Sequence, residues 1–134
     1  MALTRDRNTP QKSGELLVIP VEAGKVIYAG ALVAVNAAGN AIPAEAAAGL
    51  KAAGRSEEYV DNSSGAAGAK AVTVRRGVFK FANSATDPVG QANLLGTCYI
   101  LDDGTVAATD GTGTRSAAGK VLGIDPDGVW VEIR

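Results

Sequence analysis

Turn-forming residues interrupt this chain roughly every 8–12 residues, a spacing typical of all-β domains. Short runs rich in valine, leucine and isoleucine lie between the turns. Asp103-Gly104 and the sequence DPDG at 125–128 each separate two such runs, and an Asp-Gly turn between β-rich runs is a strong hairpin signal. Pro20 places the first run at a sheet edge, because proline cannot donate to a strand ladder. The sequence therefore predicts an all-β fold, a compact antiparallel β-sandwich or barrel.

Two stretches depart from the strand pattern. Pro43 and the alanines after it predict a short helical turn, since proline suits the first helical position and Gly49 limits the length. The segment around Gln91 predicts a turn followed by a second short helical or 3₁₀ segment. We therefore expect one or two short helical turns among about eight to ten strands.

The first fourteen residues are polar, and three cationic side chains make them basic: Arg5, Arg7 and Lys12. They form either an extended N-terminal arm or a frayed terminus. A length of 134 residues suits one domain. The predicted organisation is an arm at 1–14 followed by a single β domain at 15–134.

The run KAVTVRRGVFKFAN at 70–83 contains two inward-facing patterns. Val72 and Val74 alternate with Thr73 and Arg75, and Phe79 and Phe81 alternate with Val78 and Lys80, but the two pairs are out of phase. A β-bulge at Gly77 would absorb the extra residue. The outward side chains would then form a basic stripe of Arg75, Arg76 and Lys80. This stripe is either a partner-binding surface or a solvated face whose charges block edge pairing.

The chain contains no histidine and one cysteine, Cys98. A zinc site of the usual nitrogen and sulfur ligands cannot form within one chain, and neither can a Ser-His-Asp or Cys-His catalytic set. A carboxylate-dependent glycosidase would need two carboxylates about 5–10 Å apart, whereas Glu57 and Glu58 would face opposite sides of a strand. We therefore expect no catalytic residue and no cofactor, and Cys98 is predicted to be buried and inert.

The aspartate-rich stretch at 99–114 does not have the spacing of a calcium loop. Counting from Asp102, the third, fifth and sixth positions are Gly104, Val106 and Ala107, where two ligands and a glycine are needed. The sequence GTGTRSAAGKV also lacks the glycine spacing and the hydroxyl residue of a phosphate-binding loop. These residues are predicted to form turns, and no metal site is expected.

The formal net charge is −1 and the sequence pI is about 5.4, which disfavours nucleic acid as a direct partner. No apolar run is long enough for a membrane helix, and residues 1–14 lack the apolar region of a signal peptide.

Of the apolar residues 25 are alanine, so the core is thin and stability is expected to depend on partner subunits. Trp130, beside Glu132 on the charged face of its strand, is either part of a second core layer or an interface anchor.

Four segments, taken in order, resemble the small capsid decoration (cement) proteins of tailed bacteriophages. They are YAGALVAVNAAGNAIPA, DNSSGAAGAKAVTVRRGVFKF, GTCYILDDGTVAAT and AAGKVLGIDPDGVWVEI, which together span most of the chain from Tyr28 to Ile133. The resemblance lies in the order and composition of the segments, and none of them carries a catalytic motif. It implies a jelly-roll-like or β-tulip-like domain.

The resemblance also implies a function and partners. Similar proteins bind the outer surface of the mature capsid as homodimers or homotrimers, contact the major capsid protein and stabilise the shell. Such a protein would be made in the bacterial host cytoplasm and would belong to the virion. The alternatives are a tail-tube, spike or head-completion component, or a bacterial β-sandwich adhesion module. The contact residues inferred from charge and exposure are Arg5, Arg7, Lys12, Arg75, Arg76, Lys80 and Trp130.

Overall fold

The computed structural model describes residues 2–134, and strands dominate it. The strands are β1 (Leu16–Pro20), β2 (Val26–Ile27), β3 (Leu32–Val35), β4 (Ala41–Pro43), β5 (Lys51–Ser56), β6 (Val60–Asp61), β7 (Ala71–Arg75), β8 (Gly77–Asn83), β9 (Thr97–Ile100), β10 (Thr105–Ala107), β11 (Ala117–Asp125) and β12 (Gly128–Ile133). One 3₁₀ turn spans Gln91–Asn93. The all-β prediction is confirmed. Residues 2–134 include no helix long and apolar enough to cross a membrane.

The strands form a five-stranded sheet, a closed barrel and a small two-stranded sheet. The five-stranded sheet has the order β1-β7-β5-β3-β4, the barrel has the order β10-β8-β12-β11-β9, and β2 pairs with β6. All named pairs are antiparallel except β10 with β8. Pro20 ends an edge strand, as predicted, and a parallel bridge from Val21 to Ala41 connects the two ends of the five-stranded sheet.

Two hydrophobic cores meet at β3, which is buried on both faces. Leu32 and Ala34 belong to the barrel core, whereas Val33 belongs to the second core inside the five-stranded sheet. The alternation follows from the two-residue period of a strand. The side chains of both cores are mostly valine, isoleucine and alanine. The thin aliphatic core expected from composition is therefore divided between two small units that share one strand.

The predicted β-bulge at Gly77 is wrong, because β7 and β8 belong to different sheets. Arg76 lies between the two strands, and Gly77 has a φ of 157°, where side chains are disfavoured. Val72 and Val74 enter the second core, whereas Phe81 enters the barrel core. The change of phase therefore marks the point where the chain passes from one core to the other.

One of the two predicted helical segments is present. The 3₁₀ turn at Gln91–Asn93 is confirmed, but Pro43 ends strand β4 and the alanines after it form a loop. The buried Ser116 holds this loop: its Oγ donates to Ala47 O (2.6 Å) and accepts from the Leu50 N–H (2.9 Å). A tertiary contact therefore overrides the helix propensity of a short alanine-rich stretch.

Candidate interaction surfaces

Trp130 lies on the outer face of the barrel. Along β12 the side chains of Val129, Val131 and Ile133 enter the barrel core, and those of Trp130 and Glu132 point the other way. The Trp130 side chain is 38% exposed. Trp130 is therefore outside both cores, and of the two roles predicted for it the second core layer is wrong.

Three neighbours hold the Trp130 ring in place. Its cross-strand partner on β11 is Gly123, where a Cβ atom would lie only 3.4 Å from Trp130 Cδ1, so the ring lies across a position without a side chain. The Trp130 Nε1–H donates to Asp125 Oδ2 (2.9 Å). Lys80 Nζ lies 5.6 Å from the ring centroid, within cation–π range. A large aromatic side chain is thus fixed while part of it faces solvent.

The charge of Lys80 is compensated by carboxylates. Its Nζ donates to Asp127 Oδ1 (3.0 Å) and Oδ2 (2.9 Å), and it lies 3.9 Å from Asp125 Oδ2. The hydrogen bond from Lys80 lowers the pKa of Asp127 below its usual value. Lys80 therefore orders the hairpin turn beside Trp130 and does not form an isolated positive patch.

Two exposed leucines lie on or next to β11, the strand that pairs with the strand of Trp130. Leu122 lies in β11 at the register shift before Gly123 and is 38% exposed. The N–H of Leu95 donates to Val121 O (2.8 Å), which places Leu95 on the far side of β11, and its side chain is 66% exposed. We call the set formed by Lys80 on β8, Trp130 on β12, Leu122 on β11 and Leu95 in the loop before β9 the Trp130 face.

Arg75 belongs to an ion-pair cluster instead of a basic stripe. Its Nε donates to Glu57 Oε1 (2.9 Å), and Arg55 Nη2 donates to the same oxygen (2.7 Å). The hydrogen bond from Arg55 lowers the pKa of Glu57. The Arg55 guanidinium also lies 4.7 Å from the centroid of the Phe79 ring, which connects the five-stranded sheet to the barrel. Arg75 Nη1 also lies 3.7 Å from Glu15 Oε2, so two arginines face two glutamates and the cluster is electrically balanced.

The remaining predicted contact residues lie in two other places. Arg76 is half-buried; its N–H donates to Glu15 O (2.7 Å), but its buried Nε has no hydrogen-bond partner among residues 2–134. The arm residues Arg5, Arg7 and Lys12 are exposed, and residues 2–13 form neither helix nor strand. Of the predicted contact residues, the structure shows direct contact between Lys80 and Trp130. The continuous basic stripe is not present.

The polar and reactive side chains elsewhere have structural roles. Cys98 is buried, and burial raises the pKa of its thiol to about 11. Asp102 accepts the N–H of Gly104 (2.9 Å) in the predicted β9–β10 hairpin turn. Asn62, which sequence reasoning missed, is buried and its Nδ2 donates to three carbonyl oxygens, of Val21, Glu22 and Ala66. Among residues 2–134 no three acidic or cysteine side chains are grouped to hold a metal ion.

Comparison with known proteins identifies no relative. The chain matches no protein-family model, no curated protein sequence and no solved structure.

Proposed function

We propose that this protein is a structural virion component that binds the outside of an assembled phage shell and stabilises it without catalysing a reaction. The resemblance of four segments, from Tyr28 to Ile133, to capsid decoration proteins supports this function. It also favours the major capsid protein as partner and a dimeric or trimeric state.

The observation that carries the proposal is the Trp130 face. An indole that is 38% exposed and fixed by Asp125 and Lys80, with two exposed leucines on or next to the adjoining strand β11, has the features of an interface anchor. Tryptophan is enriched among interface residues that dominate binding energy. Because the ring is already ordered, less conformational entropy would be lost on binding.

The basic arm would add a second contact. Residues 2–13 are exposed, and Arg5, Arg7 and Lys12 make no ion pair with the residues that the structure describes. A segment of this kind can become ordered on a partner surface. Many copies on a symmetric shell would then stabilise the assembled state by mass action, even where each contact is weak.

The test uses shells of the encoding phage that are purified without this protein. Full-length protein and a variant lacking residues 2–13 are added, bound copies are counted by electron microscopy, and the shells are then heated. We expect the full-length protein to bind and to raise the temperature of shell disruption, and the truncated protein to remain folded but to bind less. Absence of binding by both proteins would refute the function, and equal binding would refute the role of the arm.

A further inference from the structure

A groove separates the beginning of β5 from the barrel strands β9, β11 and β12. Small side chains line much of it, namely Ala52, Ala117, Ala118 and Gly119. Three cationic residues also line it: Lys51 from β5, Lys120 from β11 and Arg134 after β12. A second depression, which shares Arg134, continues to Arg76 and Gly77. We call the two together the junction groove, because it follows the boundary between the five-stranded sheet and the barrel.

The cationic side chains of the junction groove are only partly compensated. Arg134 Nε lies 2.9 Å from Glu132 Oε2, but Lys51 and Lys120 make no ion pair with residues 2–134. The Nε of Arg76 is buried and has no acceptor within the same residues. That atom is closed to solvent, whereas Lys51 and Lys120 are exposed and leave the groove with positive charge that an anionic partner would complement.

We propose that the junction groove binds an acidic segment of a partner polypeptide. Carboxylates of that segment would accept hydrogen bonds from the exposed Lys51 and Lys120, and charged acceptors form the stronger hydrogen bonds. The small side chains of the lining leave room for a peptide main chain. The inference rests on the proposed function in one respect, since it takes the shell protein to be the source of the segment.

The groove fits a polypeptide better than a nucleic acid. The lining contains no aromatic side chain on which a base could stack. The protein as a whole also carries a formal net charge of −1. The lining therefore favours the carboxylates of a polypeptide over a nucleic-acid strand.

The test is a nuclear magnetic resonance titration of the ¹⁵N-labelled full-length chain with a hexaglutamate peptide. Hexalysine and a hexathymidylate oligonucleotide serve as comparison ligands. We expect hexaglutamate to shift the backbone amides of Lys51, Ala52 and Lys120, which line the groove. The double variant Lys51→Gln/Lys120→Gln should bind hexaglutamate about fivefold more weakly, because both lysines are exposed and each charge pair formed at the surface contributes modestly to affinity.

The matched control is Lys25→Gln/Lys70→Gln, which removes two lysines outside the groove that also lack ion pairs within residues 2–134. Its affinity should change by less than about twofold. Absence of shifts in the groove, an equal loss in the control, or tighter binding of hexathymidylate at the groove would overturn the proposal.

Shell binding separates this inference from the proposed function. If wild-type protein binds hexaglutamate in the groove but does not bind shells, the proposed function fails and the groove remains an acidic-peptide site. If Lys51→Gln/Lys120→Gln loses the peptide but decorates shells normally, the shell protein is not the source of the segment. Parallel loss of peptide and shell binding supports both.

Discussion

The indole Nε1–H of Trp130 donates a 2.9 Å hydrogen bond to Oδ2 of Asp125, five residues earlier in the same hairpin. Asp125 is also 3.9 Å from Lys80 Nζ, and Lys80 lies against the Trp130 ring. The polar edge of the indole is therefore satisfied within the protein. Its remaining exposed surface is apolar and available for a partner.

Replacing Trp130 should affect shell binding more than folding. Trp130→Ala is expected to weaken binding by about 2 kcal/mol, roughly thirtyfold in Kd, as loss of an interface anchor does. The free energy of unfolding should fall by less than about 1 kcal/mol, because the side chain lies outside both cores. Binding to shells by sedimentation, with thermal unfolding of the free protein, measures both quantities.

The control for Trp130→Ala is Tyr28→Ala, which removes another aromatic side chain that is 62% exposed and contacts Tyr59 with its ring tilted by 42°. It should leave shell binding within about twofold of wild type, as most surface substitutions do. An unfolded Trp130→Ala protein would show that the residue is needed for the fold, and equal losses in the two variants would contradict a specific anchor.

Leu95 has a backbone conformation that favours glycine. Its φ is 65°, in the left-handed region, and its side chain is 66% exposed. Such a conformation costs a non-glycine residue about 1–2 kcal/mol, although glycine also gains entropy in the unfolded chain. Leu95→Gly should therefore raise the free energy of unfolding by about 0.5–1 kcal/mol and Tm by about 2–4 °C.

Leu94→Gly is the matched comparison for Leu95→Gly. Because Leu94 has a negative φ of −57°, replacing it with glycine should not raise the free energy of unfolding. Thermal unfolding of both variants tests the assignment, and a lower Tm for Leu95→Gly would contradict it. If the Trp130 face is the binding surface, Leu95→Gly should also bind shells more weakly while folding more stably. A strained apolar residue would then be retained for its contact with the partner.

Asp87 should make stability depend on acid pH. Its Oδ2 accepts from Thr109 Oγ1 (2.6 Å), the Thr109 N–H (3.0 Å) and Arg115 Nη1 (2.9 Å). The Thr109 hydrogen bonds, with a further contribution from Arg115, lower the pKa of Asp87 in the folded protein. Together these bonds hold the loop that begins after β10.

The pKa of Asp87 is lower in the folded protein than in the unfolded chain. Its contribution to the free energy of unfolding is therefore fully present above the unfolded-state pKa of about 3.9 and is lost as the pH falls through the folded-state pKa. The Tm of Asp87→Asn should therefore lie below wild type at pH 7, and the gap should narrow below about pH 4. Glu45→Gln, an exposed carboxylate change, is the control. A gap that stays constant down to pH 3 would refute this role.

Cys98 should react with thiol reagents only when the protein unfolds. At pH 8 a thiol with a pKa of about 11 is ionised in about one molecule in a thousand, and the side chain is also fully buried. Iodoacetamide labelling followed by mass spectrometry should give little product in buffer and complete labelling in denaturant. Rapid labelling of the native protein would show that the strand around Cys98 opens readily.

Local sequence patterns determined the strands and their turns. The hairpin at Asp102 and the last hairpin between β11 and β12 were predicted because turn residues act through their own backbone neighbours. The inward alternation of Val72 and Val74 depends only on the two-residue period of a strand. The edge position of Pro20 also follows from the residue itself, which has no N–H to donate.

Tertiary structure decided where those strands and charges lie. An alternating pattern predicts a strand but not the sheet that the strand joins. The passage of the chain from one sheet to the other at Arg76 was therefore predicted as a bulge. The predicted stripe depended on partners distant in sequence: Arg75 is neutralised by Glu57, and Lys80 by Asp127. The junction groove likewise joins Lys51 to Lys120 across two sheets. Electrostatic contacts depend on distance in space, which a sequence fixes only after the chain has folded.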